Sequence, residues 1–186
     1  MSLEADRARL LELLRALSFE RRKVVLASGR ESDFYVDCKR TALTAEGHVL
    51  VGRLLFERVR AIRPLVRGVG GLTLGADPIA SAIALTSFLA GEPVDAFIVR
   101  KEPKGHGTGQ WIEGRKTIPD GSRVVVIEDV VTTGGSALKA IERCRAEKLE
   151  PVACVALVDR LEGGREAIEA QGVPLDALFT RKDFIP

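Results

Sequence analysis

The stretch RVVVIEDVVTTGGSALKAIE, Arg123 to Glu142, holds residues whose types and spacing suit phosphate chemistry. An aliphatic run, Val124 to Ile127, leads into two acids, Glu128 and Asp129. Val130 and Val131 follow, then Thr132, Thr133, Gly134, Gly135 and Ser136, then a helical pattern. A strand, a glycine-rich turn and a helix in that order make an anion cradle. The glycines let backbone N–H groups turn inward, and the helix offers its positive end. The hydroxyls of Thr132, Thr133 and Ser136 add donors. Glu128 and Asp129, just before the cradle, could accept hydrogen bonds from sugar hydroxyls. A phosphate site flanked by acidic acceptors suggests a ribose 5-phosphate. No Gly-Lys-Ser/Thr follows, so this is not a P-loop. An ordinary glycine-rich corner would explain the Thr-Thr-Gly-Gly alone, but not the acidic pair directly after a buried strand.

A second segment, IVRKEPKGHGTGQWIEG, gathers Arg100, Lys101, Lys104 and His106 within seven residues, with Gly105, Gly107 and Gly109 interleaved. Glycines favour a flexible loop and the cations suit a polyanion. Such a loop can act as a lid that excludes water and neutralises charge on a leaving group. A solvated surface loop is the alternative wherever no cradle accompanies it. GHGTG matches half of a dinucleotide fingerprint but lacks the helix that should follow at once.

The elements that must position these residues alternate. Leu3 to Leu17 has the leucine spacing of an amphipathic helix. Lys23 to Ala27 and Asp33 to Cys38 read as short strands across a Ser-Gly-Arg turn. Thr44 is the expected N-cap of a helix reaching about Arg60, and Asp77-Pro78 the expected start of another, with Asp as cap. Further strands are expected at Val66–Val69, Val94–Arg100, Val124–Ile127, Val152–Val158 and Leu175–Phe179, and helices at Gly135–Glu147 and Gly164–Ala170. This alternation predicts one α/β domain over residues 1–186, with a mostly parallel central sheet flanked by helices. Lys101 to Gly121 has no legible element, and long loops of this kind are often functional.

Composition narrows the field. Lys plus Arg total 28 and Asp plus Glu 26, a formal net charge of +2. Strong nucleic-acid binders usually carry a larger basic bias. No apolar run reaches the length of a membrane span. Three cysteines, Cys38, Cys144 and Cys154, form no metal spacing and read as buried hydrophobes in a reducing compartment. A soluble, cytoplasmic protein without nucleic-acid or membrane partners is expected.

IEDVVTTGGS resembles the phosphoribosyl pyrophosphate (PRPP) motif of type I phosphoribosyltransferases, which PRPP synthetases and regulators on that fold share. RKEPKGHGTGQWIEG resembles the catalytic loop of orotate phosphoribosyltransferases. VVLASGRESDFYVDCKR, LVDRLEGG and ALFTRKDF resemble other segments of that family. The resemblance implies the type I phosphoribosyltransferase fold, with an N-terminal hood mainly within 1–40 and a mobile catalytic loop at about 101–116. It implies transfer of phosphoribosyl from PRPP to N1 of orotate, with Mg²⁺ held mainly by substrate and no dedicated protein metal site. It also implies a homodimer whose active sites are shared. Arg100, Lys104 and His106 would reach PRPP's pyrophosphate from the partner chain, with Lys101 acting in its own chain. Lys104, Arg100, His106 and Asp129 would be the catalytic set. Glu128 and Asp129 would hold the ribose hydroxyls, and the run from Val130 to Ser136 would complete the PRPP site. Thr132 and Arg160 would contact orotate. Two positions depart from the pattern: Ala27 and Leu74 stand where other branches carry Lys. Around Leu74, backbone N–H groups freed by Gly70, Gly71 and Gly75 could still bind pyrophosphate. A PRPP-sensing, nucleic-acid-binding regulator on the same fold is the rival reading. It would not need the cationic loop.

Overall fold

The computed structural model describes residues 2–22, 24–25, 31–62, 64–103 and 110–185. Its centre is a six-stranded sheet: β5 (Gly68–Leu72), β6 (Asp95–Val99), β7 (Ile112–Glu113), β8 (Arg123–Val131), β9 (Glu150–Asp159) and β10 (Leu175–Thr180). The order is β10-β9-β8-β5-β6-β7. All neighbours are parallel except the edge pair β6–β7. Helices α1 (Leu3–Leu13), α3 (Ala45–Arg60) and α4 (Ala76–Leu89) supply one layer, and α5 (Gly135–Ala146) and α6 (Gly164–Glu169) the other. Short helices α2 (Lys39–Ala42) and α7 (Arg181–Phe184) complete the fold. Among the described residues no helix is long and apolar enough to cross a membrane.

The aliphatic run of β8 explains its central place. Val124, Val125, Val126 and Ile127 are fully buried. Val125 and Ile127 face the α3–α4 layer, whereas Val124 and Val126 face α5. Alternating side chains of a strand covered on both faces must all be apolar. Each such side chain stabilises the fold by about 1.5–3 kcal/mol relative to exposure. The strand runs on past the run to Val131 and so carries Glu128 and Asp129 within it.

Thr44 caps α3 as expected, its hydroxyl accepting from the Gly47 N–H at 3.0 Å. The start of α4 differs from expectation. Gly75 is the N-cap, and Asp77 lies inside the first turn, accepting from the Thr73 hydroxyl at 2.6 Å. Pro78 still costs nothing there, because first-turn N–H groups have no intrahelical acceptor. Gly70 and Gly71 are strand residues in register with Phe97 and Ile98, so of the three glycines expected around Leu74 only Gly75 lies in the turn.

The N-terminal segment also corrects the expected pairing. β1 (Phe19–Glu20) pairs with β4 (Tyr35–Val36), and inside them β2 (Val24–Val25) pairs with β3 (Glu31–Ser32). Asp33 to Cys38 is therefore not one strand opposite Lys23 to Ala27; Lys23 and residues 26–30, including Ala27, lie outside the described residues. Phe19, Phe34, Phe179 and Phe184 tie this segment to the end of the chain, with ring centroids 5.1–6.4 Å apart. Such tilted and edge-on pairs each add about 0.5–1.5 kcal/mol beyond burial. Within Lys101 to Gly121, β7 and a 3₁₀ turn at Arg115–Thr117 are elements the sequence did not signal.

Candidate active site

The strand order reverses between β5 and β8. From β5 the chain goes through α4 to β6 on one side; from β8 it goes through α5 to β9 on the other. Turns leaving two parallel strands in opposite directions open a crevice at their carboxyl ends, where open α/β sheets bind ligands. Here the crevice holds the turn Thr73–Gly75 and the cradle Thr132–Gly135. A cavity of about 270 Å³ is lined by Glu128, Val130, Thr132, Thr133, Gly134, Gly135, Ser136 and Lys139. Gly134 caps α5 at φ +83°, left-handed backbone that favours glycine. The first helical hydrogen bond runs from the Leu138 N–H to the Gly134 carbonyl. The N–H groups of the first helical residues before it are left for an anion.

The two acids sit on opposite faces of β8, as consecutive strand residues must. Glu128 lines the cradle and is 5% exposed. Burial, and next the charge of Asp129, push its carboxyl up to about 8. Asp129 faces the β5 turn. Its Oδ1 accepts from the Val130 N–H at 2.9 Å. A Cβ placed on Gly75 would come 2.5 Å from that same oxygen, so any larger residue there would push the carboxylate from its place. Burial also raises the Asp129 pKa, opposed by the charge of Lys39.

The Glu128 shift has a stability consequence. Between its ordinary 4.5 and about 8, the folded chain keeps a proton that the unfolded chain has lost. Stability of the ligand-free protein therefore falls as pH rises through that window. Urea midpoints should drop between pH 5 and pH 8, and Glu128→Gln should flatten much of the drop. Equal slopes in both proteins would contradict the assignment.

The loop that follows β6 leaves from a closed neck. The Arg100 N–H donates to the Trp111 carbonyl at 2.9 Å, and Val99 pairs with Ile112. Arg100 also forms an ion pair with Glu113 at 3.0 Å. A groove of about 480 Å³ runs from this neck to the cradle, lined by Leu72, Arg100, Lys101, Trp111, Ser136, Lys139, Glu142 and Arg143. It shares Ser136 and Lys139 with the phosphate cavity. Arg100 and Lys101 thus stand beside the cradle. Lys104 and His106 lie outside the described residues. Leu74 points outward, 68% exposed.

Thr132 and Arg160 come from adjacent strand ends. The Arg160 N–H donates to the Val131 carbonyl at 2.9 Å. Its guanidinium forms an ion pair with Glu162 at 2.9 Å, both side chains nearly buried. It also lies 5.5 Å from the centroid of the Phe34 ring, on the N-terminal segment. Phe34 is fully buried and Arg160 is 7% exposed, so this corner is packed beside the cradle.

The phosphoribosyl transferase domain model matches residues 66–171, which takes in the switch point and the cradle. The orotate phosphoribosyltransferase of Sorangium cellulosum is 55% identical over 98% of this chain and 94% of its own length. The chain belongs to the orotate phosphoribosyltransferase family. The Aquifex aeolicus orotate phosphoribosyltransferase is 50% identical, covering 86% of this chain and 85% of its own. Among solved structures, Mycobacterium tuberculosis orotate phosphoribosyltransferase in complex with PRPP superposes with a TM-score of 0.79 at 42% identity, covering 96% of this chain and 98% of that one. These matches establish the type I phosphoribosyltransferase fold that the resemblance implied, and the mostly parallel α/β sheet is the one the alternation predicted.

Within this orotate phosphoribosyltransferase family member, three residues near the crevice escaped sequence reasoning. Lys139 lies one helical turn past Ser136, on the same face of α5, so the i, i+3 spacing could have shown it. Asp37 and Lys39 meet Asp129 only through tertiary folding. Their one local signal was their place in the family-like segment FYVDCKR. His48, in α3, has its Nδ1 3.1 Å from the Ala42 carbonyl, a local contact.

Proposed function

We propose that the protein transfers the 5-phosphoribosyl group of PRPP to N1 of orotate, giving orotidine 5′-phosphate and pyrophosphate in pyrimidine nucleotide synthesis. The observation that carries this is the switch-point crevice, where Glu128 and the phosphate cradle line one cavity and Asp129 stands on the other face of β8 beside the β5 turn. The N–H groups at the start of α5 and the hydroxyls of Thr132, Thr133 and Ser136 bind the 5-phosphate. Glu128 and Asp129 accept from the ribose hydroxyls. Arg160 and Thr132 orient orotate, the guanidinium fork suiting a planar carboxylate or carbonyl. The pyrophosphate lies toward the Thr73–Gly75 turn and Lys101 of the same chain, and the remaining loop cations come from the partner. Catalysis rests on positioning and on stabilising charge as the bond to C1 breaks.

Mg²⁺ fits this donor set. The crevice presents carboxylate, hydroxyl and backbone oxygens, all hard ligands. When bound, Mg²⁺ would be held mainly by PRPP's own oxygens and would supply charge neutralisation for the pyrophosphate. The protein acts as a homodimer in which Arg100, Lys104 and His106 of one subunit serve the partner's crevice. The outer face of α4 supports that reading. Leu85, Phe88 and Leu89, at i, i+3 and i+4, are more than half exposed and form an apolar stripe suited to a second copy. The three cysteines are free and buried, and burial raises each thiol pKa, in keeping with a cytoplasmic setting.

Incubation with PRPP, Mg²⁺ and a panel of orotate, uracil, adenine and hypoxanthine tests the base assignment. Turnover with orotate is expected. Turnover with another base and none with orotate would move the protein to a different phosphoribosyltransferase. Salt-dependent nucleic-acid binding without turnover would point to the regulator reading.

A further inference from the structure

Lys39 belongs to α2, outside the cradle and the loop, yet its Nζ lies 3.8 Å from Asp129 Oδ2. The same Nζ is 2.7 Å from Asp37 Oδ1. The two distances differ in kind. At 2.7 Å the ammonium is hydrogen-bonded to Asp37 and anchored. At 3.8 Å it is beyond hydrogen-bond range of Asp129 and acts on it through charge alone. Asp37 is itself held, by the Lys39 N–H at 3.2 Å and by Arg40 Nε at 3.8 Å. Asp129 is packed on its other side against the Gly75 backbone and bonded by the Val130 N–H. Its side chain is only 16% exposed. A carboxylate so buried needs a counter-charge, but one bonded tightly to it would occupy the lone pairs a ribose hydroxyl needs.

We propose that Lys39 is a positioning residue for PRPP: anchored on Asp37, its ammonium supplies the counter-charge that keeps Asp129 an open acceptor for ribose hydroxyls. The proposal rests on the ribose-binding reading of Asp129. It places the junction between the N-terminal segment and the sheet inside the sugar site, so PRPP recognition extends beyond the cradle motif. Lys39 is 41% exposed and Asp37 retains Arg40, so removing the lysine charge leaves the fold intact.

PRPP binding to the full-length protein, read by calorimetry with Mg²⁺ and without orotate, tests this. Lys39→Met should raise the PRPP Kd about tenfold while the orotate KM stays within about twofold. Lys39→Arg should recover most of the loss, and in an Asp129→Asn background Lys39→Met should add less than about twofold. An unchanged PRPP Kd in Lys39→Met, the same tenfold loss in the Asn background, or no recovery with Arg would overturn the proposal. In each of those cases a weakened Asp129→Asn protein would leave the ribose reading standing. If Asp129→Asn alone binds PRPP as tightly as the wild type, the ribose reading falls and the proposal falls with it.

Discussion

Lys104→Ala should lower kcat by about a hundredfold or more while the orotate dissociation constant stays within about twofold. Charge grows on pyrophosphate only as the bond to C1 breaks, so a cation aimed at the leaving group stabilises the transition state more than the ground state. The neck of the loop stands at the carboxyl edge of the sheet. Arg100 and Trp111 are bonded across it, and Arg100 and Lys101 line the groove that opens into the cradle. In the proposed reading orotate meets Arg160 and Thr132, at the ends of β9 and β8 on the far side of β5 from the neck. Stopped-flow turnover and orotate titration on the same variant separate the two quantities. Equal losses in both would remove the leaving-group role.

Asp129→Asn should be equally damaging by another route. Asn keeps the shape but loses the charge, and it turns one acceptor into a donor facing the ribose hydroxyls. Combining the two variants tests the shared site. When the loop acts across the dimer, a heterodimer of Lys104→Ala and Asp129→Asn chains has one crevice with both lesions and one with neither. Random assembly makes half the dimers mixed, so about a quarter of wild-type activity should return. Each parent alone should stay nearly inactive. A co-expressed mixture as inactive as its parents would place each loop over its own crevice.

Much of this site was legible before folding because its chemistry is local. The cradle is one strand, one turn and one helix, and every residue from Glu128 to Ser136 is a neighbour in sequence. The aliphatic run Val124–Ile127 gave the buried strand because burial on both faces demands it. What the sequence withheld depends on distant partners. β7 has two residues and exists only because Val99 and Ile98 offer an edge to pair with. The nested ladders of the N-terminal segment pack through Phe19 and Phe34 against Phe184, about 150 residues or more away in sequence. Asp77-Pro78 had the composition of a helix start, but the Thr73 hydroxyl and the Gly75 turn moved the cap back. The contact between Lys39 and Asp129 spans the junction of two substructures and leaves no periodic trace.

Charge balance shows the same contrast. A net charge of +2 excludes little by itself. In the fold, Arg100 and Lys101 stand on the groove, while Glu128 and Asp129 stand at the end of β8. In the proposed reading the cations face a polyphosphate and the two carboxyl groups a sugar, a separation that the total conceals.

The most direct test follows orotate absorbance and released pyrophosphate together. With PRPP and Mg²⁺ present, orotate should disappear and pyrophosphate should form in equal amounts, and omission of PRPP should stop both. Pyrophosphate released without loss of orotate, or no reaction from a folded protein that binds PRPP, would contradict the assignment.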